Sequence, residues 1–397
     1  MNVWAKRILV GLCLIGLAIG SEYVLPVLIP DTAWRQLALF ALVNVVVALS
    51  LNVINGMAGQ FSIGHAGFVG IGAYTAAIVA GHLHKSLYQP DASLPVPSDL
   101  PLAHSFIIMP AAILSAALVA GVFGLLVGLP SLRLKGDYLA IVTLGFAEIF
   151  RLLISSAQTG GDAKGIGALL ANLGGQQGYG GPDGRGIPHY AGPFWIVGGV
   201  IITTLVAWRL KFSGWGRALR ALREDEIAAA AVGVDPTGYK VTSFVIAAMG
   251  GGIAGALLAC MRDASPTVQP EQFGFLYSFD AITMVILGGS GSVSGAVLGG
   301  VFVTVTVKLI EQLQRLDSVK DFNTAHPSFD LNALRMVVYA AVLIGLMVLR
   351  PAGVFGEKEI LKPSKRTRSG GGPIDPSPKN PPKGGAPIKP EIAEAEA

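Results

Sequence analysis

Apolar runs recur along the whole chain, near residues 8–29, 36–54, 62–81, 105–129, 137–155, 193–209, 240–261, 276–289, 295–310 and 331–349. A helix of about 20 apolar residues spans the hydrocarbon core of a bilayer, and only helices or closed barrels satisfy their backbone there. The short alternating segments of a membrane barrel are not what these runs look like. The pattern predicts an all-α membrane protein, a polytopic bundle of about 8–10 transmembrane helices. The runs at 276–289 and 295–310 are short and are expected to be broken or re-entrant.

Basic residues orient such helices, being retained on the cytoplasmic side. With Lys6 and Arg7 inside, ten crossings also place Arg133, Lys135, Arg209, Lys211, Arg217, Arg220, Arg223 and Lys240 inside. The tail, with Arg350, Lys358, Lys362, Lys365, Arg366 and Arg368, falls inside too. Loops 82–104 and 156–192 are then external, the second rich in glycine. The first apolar run contains Ala18-Ile19-Gly20, which resembles a signal-peptide cleavage site, but it continues to Ile29, longer than a usual signal core.

Composition sharpens the picture. Of 397 residues 52% are hydrophobic and 14% charged, against about 25% charged in soluble domains. The 52 glycines point to closely packed helices. Cys13 and Cys260 lie in apolar runs without disulfide or metal spacing. The net charge of +4 is small, and no basic stripe interleaved with aromatics indicates nucleic-acid binding.

Four constellations stand out. The stretch from Asn52 to Tyr74 sets Gln60, Ser62, His65 and Tyr74 among glycines that include Gly64 and Gly67. Polar groups at membrane depth face protein or a water-filled path, so these residues either lock helices together or line a path. The stretch from Gly288 to Gly300 spaces Gly291, Gly295 and Gly299 four apart, which is expected to put them on one helix-packing face. Its likeness to the first stretch hints at internal duplication. Glu148 and Asp280 are acids inside apolar runs and are candidates for the path, although Glu148 can also pair with Arg151 three residues on.

The fourth constellation is charged. From Ser213 to Pro236, Trp215, Leu219 and Leu222 recur at helical spacing, while Arg217, Arg220, Arg223, Glu224, Asp225 and Glu226 decorate other faces. Gly233 and Pro236 are stop signals. One amphipathic helix from Trp215 to Val232 is expected, either lying on lipid headgroups or docking a cytoplasmic protein.

At this loop the chain resembles the LivM-type permease subunit of high-affinity branched-chain amino-acid ABC transporters. The resemblance is carried by Gly59-Gln-Phe-Ser-Ile-Gly-His-Ala-Gly-Phe68, Leu129-Pro-Ser-Leu-Arg-Leu-Lys-Gly-Asp-Tyr138 and on to Leu144, Gly216-Arg-Ala-Leu-Arg-Ala-Leu-Arg-Glu-Asp-Glu226, Gln272-Phe-Gly-Phe275, Val285-Ile-Leu-Gly-Gly-Ser-Gly-Ser292 and Arg350-Pro-Ala-Gly-Val-Phe355. It covers roughly residues 36–356. The apolar run before it gives a helix and turn at 1–35. Residues 357–397 are expected to form a disordered cytoplasmic tail, because Pro363 to Ala397 is rich in Pro, Gly, Lys and Glu and cannot bury apolar area. The resemblance implies a permease domain over 36–356 between them. It also implies a bacterial inner-membrane location with both termini cytoplasmic. Partners would be a second permease, two cytoplasmic ATPases and a periplasmic solute-binding protein. The segment near 211–240 would be the coupling loop that docks in an ATPase groove.

The chain departs from the family pattern twice. The general importer motif places glycine six residues after Glu, whereas Glu226 and Gly233 are seven apart. The outer loop carries Thr159-Gly-Gly-Asp-Ala-Lys-Gly165 and a separate Gly180-Gly-Pro-Asp-Gly184 in place of one compact motif. No Gly-Lys pair occurs, so no phosphate-binding P-loop is present, and the chain itself is expected to bind no cofactor. ATP would be used by partner subunits. A membrane enzyme is disfavoured, since no His, Cys and carboxylate cluster appears. A self-sufficient carrier is the alternative from another class. Urea, short amides and aromatic acids are alternative solutes to neutral amino acids.

Overall fold

The computed structural model describes residues 3–88, 100–131, 137–157, 172–262, 265 and 267–314, together with 341, 344, 345, 348, 353 and 359. The chain divides into two units, Met1–Ile360 and Leu361–Ala397, and all described residues belong to the first. The apolar run at 331–349 and the tail from 361 onward lie outside the described set, apart from the few residues just named.

Eleven α-helices occur among the described residues: α1 Val3–Leu28, α2 Thr32–Asn52, α3 His65–Leu87, α4 Leu102–Ser131, α5 Asp137–Ser155, α6 Pro193–Phe212, α7 Gly214–Glu224, α8 Glu226–Ala231, α9 Pro236–Ala259, α10 Phe275–Gly288 and α11 Val293–Gln314. No strand is formed among them, only two isolated bridges, Tyr179 to Val268 and Ala191 to Met261. Seven of the helices, α1–α6 and α9, are long and apolar enough to cross a membrane. The chain is therefore a polytopic all-α membrane protein.

Helix ends follow local chemistry. Asp31 caps α2 by accepting from the Ala33 N–H at 2.8 Å. Asp235 caps α9 through Thr237 and Gly238, with Pro236 in the first helical position. Helix α2 continues into a π-helical turn, Val53–Met57, which ends at Gly59 with φ +67°. Such turns are rare and often mark functional sites.

The core forms around α2, which is buried on every side from Val43 to Asn52. A helix apolar all round belongs inside a bundle. Helix α9 packs on α3, α4 and α2, and glycine makes those contacts close. A Cβ on Gly72 would collide with the backbone of Gly252, and one on Gly255 with the carbonyl of Val69. Between helices that lipid does not push together, such small-residue seams supply the packing.

Helices α10 and α11 form a short antiparallel hairpin: α10 has only 14 residues, and Gly288 and Gly299 bring its backbone directly onto α11. The shortness read from the apolar runs holds for α10 alone: α11 runs unbroken for 22 residues, because the helix continues past the apolar stretch into Glu311 to Gln314. Gly295 and Gly299 lie on the packing face as expected, but Gly291 does not. It sits in the turn between the helices with φ +86°, where its N–H is bonded to the Asn52 side chain. Four-residue spacing could not register the turn, because a left-handed glycine leaves no mark in periodicity.

The connections segregate to two ends. At one end lie the π-turn, the α7–α8 segment and the α10–α11 turn. At the other lie the described part of the glycine-rich loop, 172–192, and the 260–274 loop, joined by the two bridges. Glu22 of α1 reaches this loop end, binding Arg262 at 2.7 Å and the Phe194 N–H at 3.0 Å.

Candidate functional site

Two regions carry the polar chemistry, one at each end. At the loop end a cavity of about 990 Å³ opens between α2, α5, the 260–274 loop, α10 and α11. Trp34, Phe40 and Leu276 contribute apolar walls, and Glu148, Arg151, Glu271, Asp280 and Lys308 contribute charge. Glu148 does pair with Arg151, at 2.8 Å, and Arg151 binds Glu271 at 3.2 Å from its other side. Glu148 and Asp280, singled out in the sequence, thus share one cavity. Glu271 and Lys308 had no signal of their own, since each sits in an unremarkable local context.

Tyr74 supports this cavity from behind: its buried hydroxyl donates to the carbonyl of Val268, a lining residue, at 3.0 Å. Gln60, Ser62 and His65 do not line it. They are buried near the opposite end, where His65 Nε2 lies 2.8 Å from the Ser50 hydroxyl. Ser62 is held through its backbone by Asn55. Gly64 and Gly67 let α3 lie against α5: a Cβ on either would press on Thr143 or Ala147. Within this polar stretch Tyr74 thus backs the cavity, whereas Gln60, Ser62 and His65 are buried away from its lining.

The second region is the charged segment. The expected single helix is two helices, α7 and α8, broken at Asp225. Asp225 leaves the helix with extended backbone and caps α8, accepting from Ile227 and Ala228 at 2.9 and 3.0 Å. At the start of α7, Ser213 caps by accepting from Gly216. Gly216 has no room for a Cβ against the carbonyls that end α6, so α7 turns back tightly beneath the bundle.

The faces of α7 are also distributed differently from expectation. Leu219 and Leu222 are buried within this chain, and Trp215 packs against Tyr239. Arg223 donates to the Gly56 carbonyl at 2.9 Å, and its stem covers Gly59. Arg223 therefore faces the chain's own π-turn. Arg220 turns toward the carbonyls of Gly216 and Lys211, and Glu226 binds Lys240 at 2.6 Å. Left facing outward are Arg217, Glu224, Asp225 and, most conspicuously, two apolar residues: Ile227 is 81% exposed and Val232 79%. These two went unnoticed in the sequence because the leucine periodicity drew attention to α7.

Beneath α7 the two glycine-rich stretches meet. Asn52 binds both Gly291 N–H (2.8 Å) and Ser292 carbonyl (3.0 Å). Lys211 donates to the Gly291 carbonyl at 2.6 Å and pairs with Glu359 at 2.5 Å. Glu359 in turn accepts from the Val293 and Ser294 N–H groups and the Ser294 hydroxyl, capping α11. Glu359 falls within the tail expected to be disordered from residue 357, yet its side chain is 4% exposed. Among the described residues no group of three His, Cys, Asp or Glu could hold a metal ion.

Comparison with known proteins agrees with this architecture. Residues 35–347 match the family described as branched-chain amino acid transport system / permease component. The chain is 31% identical, over 84% of its length and 72% of the relative's, to the high-affinity branched-chain amino acid transport system permease protein LivM of Salmonella typhimurium. Against the protein of the same name from Escherichia coli K12 the identity is 30%, over 80% and 69%. The LivH permease protein of Salmonella typhimurium is 30% identical over 42% of this chain and 48% of its own. No solved structure matches the chain. A bundle of seven long apolar helices, a match over most of its length and two LivM relatives at this identity lead to one conclusion: the chain belongs to the permease-component family of branched-chain amino acid transport systems.

Proposed function

We propose that this chain is one permease half of an ABC importer for branched-chain or related neutral amino acids. A second permease of LivH type would complete the path, two cytoplasmic ATPases would drive it, and a periplasmic binding protein would deliver solute. The α7–α8 end is then cytoplasmic and the loop end periplasmic, in the bacterial inner membrane, as the basic residues favour. The names of the relatives support the solute class.

The observation that carries the reading is the α7–α8 pair. Helix α7 is fastened to the bundle by Leu219, Leu222 and Arg223. Helix α8 presents exposed Ile227, and Val232 at its C-cap is exposed as well, beside the acids Glu224 and Asp225. A force applied at α8 reaches Gly56 and Gly291 through the Arg223 side chain, and so reaches α2 and the α10–α11 hairpin. Apolar anchors ringed by charge are what a groove on a partner recognises. A helix meant for anionic lipid would not carry acids on that rim.

Replacing Ile227 and Val232 together by Asp tests this. Both are exposed, so membrane levels should hold, while ATPase co-purification and uptake should each fall by about tenfold or more, as for hot-spot anchors. Normal co-purification and uptake would remove the docking role. Leu222→Asp should instead lower the amount of folded permease, since it buries a charge inside this chain.

A further inference from the structure

Helix α1 carries a carboxylate that its own helix does not account for. Among its described side chains, 11–28, only Ala18 is buried, so α1 lies on the outside of the bundle, against α6. The family match starts at residue 35, beyond the end of α1 at Leu28. An acid on such a helix is costly at membrane depth unless it is paired. Glu22 is engaged on both oxygens: Oε1 accepts from Arg262 Nη1 at 2.7 Å and Oε2 from the Phe194 N–H at 3.0 Å. Phe194 lies in the first turn of α6, where the helix dipole also favours a carboxylate.

The two groups that Glu22 grips belong to one seam. Ala191, just ahead of α6, donates to the Cys260 carbonyl at 2.7 Å, and its own carbonyl accepts from the Arg262 N–H at 3.1 Å. A Cβ on Gly192 would come within 2.9 Å of both Glu22 Oε2 and Arg262 Nη2, so glycine is what lets the clamp close over the seam. Ala259 and Met261 before Arg262, and Val268 after it, line the cavity. Toward the far end of the same loop Glu271 reaches Arg151 of α5, but its side chain is 60% exposed, against 10% for Glu22. Water screens an exposed pair, whereas breaking a buried one strands a charge. The loop is therefore fixed at Arg262 and gives first at Glu271.

We infer that Glu22 is a positioning residue for transport: acting through Arg262, it fixes the rim of the cavity, and α1 is a brace that the working permease retains. What the cavity does rests on the importer reading; the clamp itself does not.

Cys260, fully buried in the seam, is a native reporter of the clamp. Cys13→Ser leaves it as the one thiol of the permease. Labelling by N-ethylmaleimide is followed on the permease of the assembled complex in nanodiscs, beside ATPase co-purification and uptake in proteoliposomes. Glu22→Gln keeps an acceptor for the Phe194 N–H and removes the charge. Cys260 should then label about tenfold faster or more, the scale of one lost charge-assisted hydrogen bond, and uptake should fall while the ATPases stay bound. Arg262→Gln should do the same, and the double variant no more than either, because all three lose one contact. Glu271→Gln, at the yielding end, should leave Cys260 protected.

Unchanged labelling in Glu22→Gln overturns the assignment, as do effects of the two variants that multiply. Faster labelling with undiminished uptake overturns it too, since Glu22 then has no part in transport. Where the variants fail to assemble, the intact mass of the unaltered permease decides: a mature chain cleaved after Gly20 overturns the brace, and one that keeps α1 supports it. Absence of uptake by the unaltered complex would count against the importer reading instead, with Cys260 labelling still deciding the clamp.

Discussion

Lys211 and Glu359 show how much one residue can hold together. Their pair is almost wholly buried and sits where α6 and the α10–α11 turn meet Glu359. Burial works to raise the Glu359 carboxyl. The hydrogen bonds from Lys211, the Ser294 hydroxyl and the Ser294 and Val293 N–H groups outweigh it and hold the group below its ordinary range. Removing one partner of a buried pair costs about 3–5 kcal/mol, because the other charge stays buried. Glu359→Gln should therefore lower the thermal midpoint of the purified permease, and adding Lys211→Met should recover part of the loss. The sign of the pH dependence follows from the lowered value. The stabilisation is complete above the unfolded-state value of about 4.3 and is lost as pH falls through the folded-state value. The gap between wild type and Glu359→Gln should stay level from about pH 8 to about pH 5 and close below that. A gap that widened toward acid would contradict the assignment. None of this was legible in sequence, since Glu359 lies in a stretch too polar to bury area by itself and is captured by groups 148 and 65 positions away.

At the scale of elements, the helices themselves were legible because hydropathy is local. All seven long apolar helices fall on predicted runs, and α10 was recognised as short, whereas α11 is an unbroken helix of 22 residues. Breaks and faces were harder. Asp225 followed by an alanine-rich stretch is a helix-start signal, but it was submerged in a longer amphipathic pattern. Glycine makes the same point: its spacing does not say which residues touch. A Cβ on Gly288 would collide with the Gly295 carbonyl, whereas one on Gly145 of α5 meets nothing within 4 Å. Gly288→Ala should destabilise the permease by about 1–3 kcal/mol, as overpacking does. Gly145→Ala should be neutral or stabilising, since alanine is the better helix former. Comparable thermal shifts in the two variants would show that the hairpin does not depend on this close approach.

For the whole molecule, the two ends divide the labour. The loop end carries a charged cavity assembled from α2, α5, α10, α11 and a loop, segments so far apart in sequence that only the fold reveals Glu271 and Lys308 as lining the same cavity as Glu148. The α7–α8 end carries a helix pair anchored through Arg223 to both glycine-rich stretches, which meet at Asn52, Gly56 and Gly291. Helix α2 runs between the ends and is buried for half its length, so it can relay displacement from one to the other. The central claim is that α8 is the handle. Placing a photo-crosslinking amino acid at Ile227 of the assembled complex, with Leu219 as the buried control, tests it most directly. The account predicts a strong adduct between Ile227 and an ATPase subunit and none from Leu219. Adducts from Ile227 to lipid alone, with the ATPases present and the importer active, would contradict it.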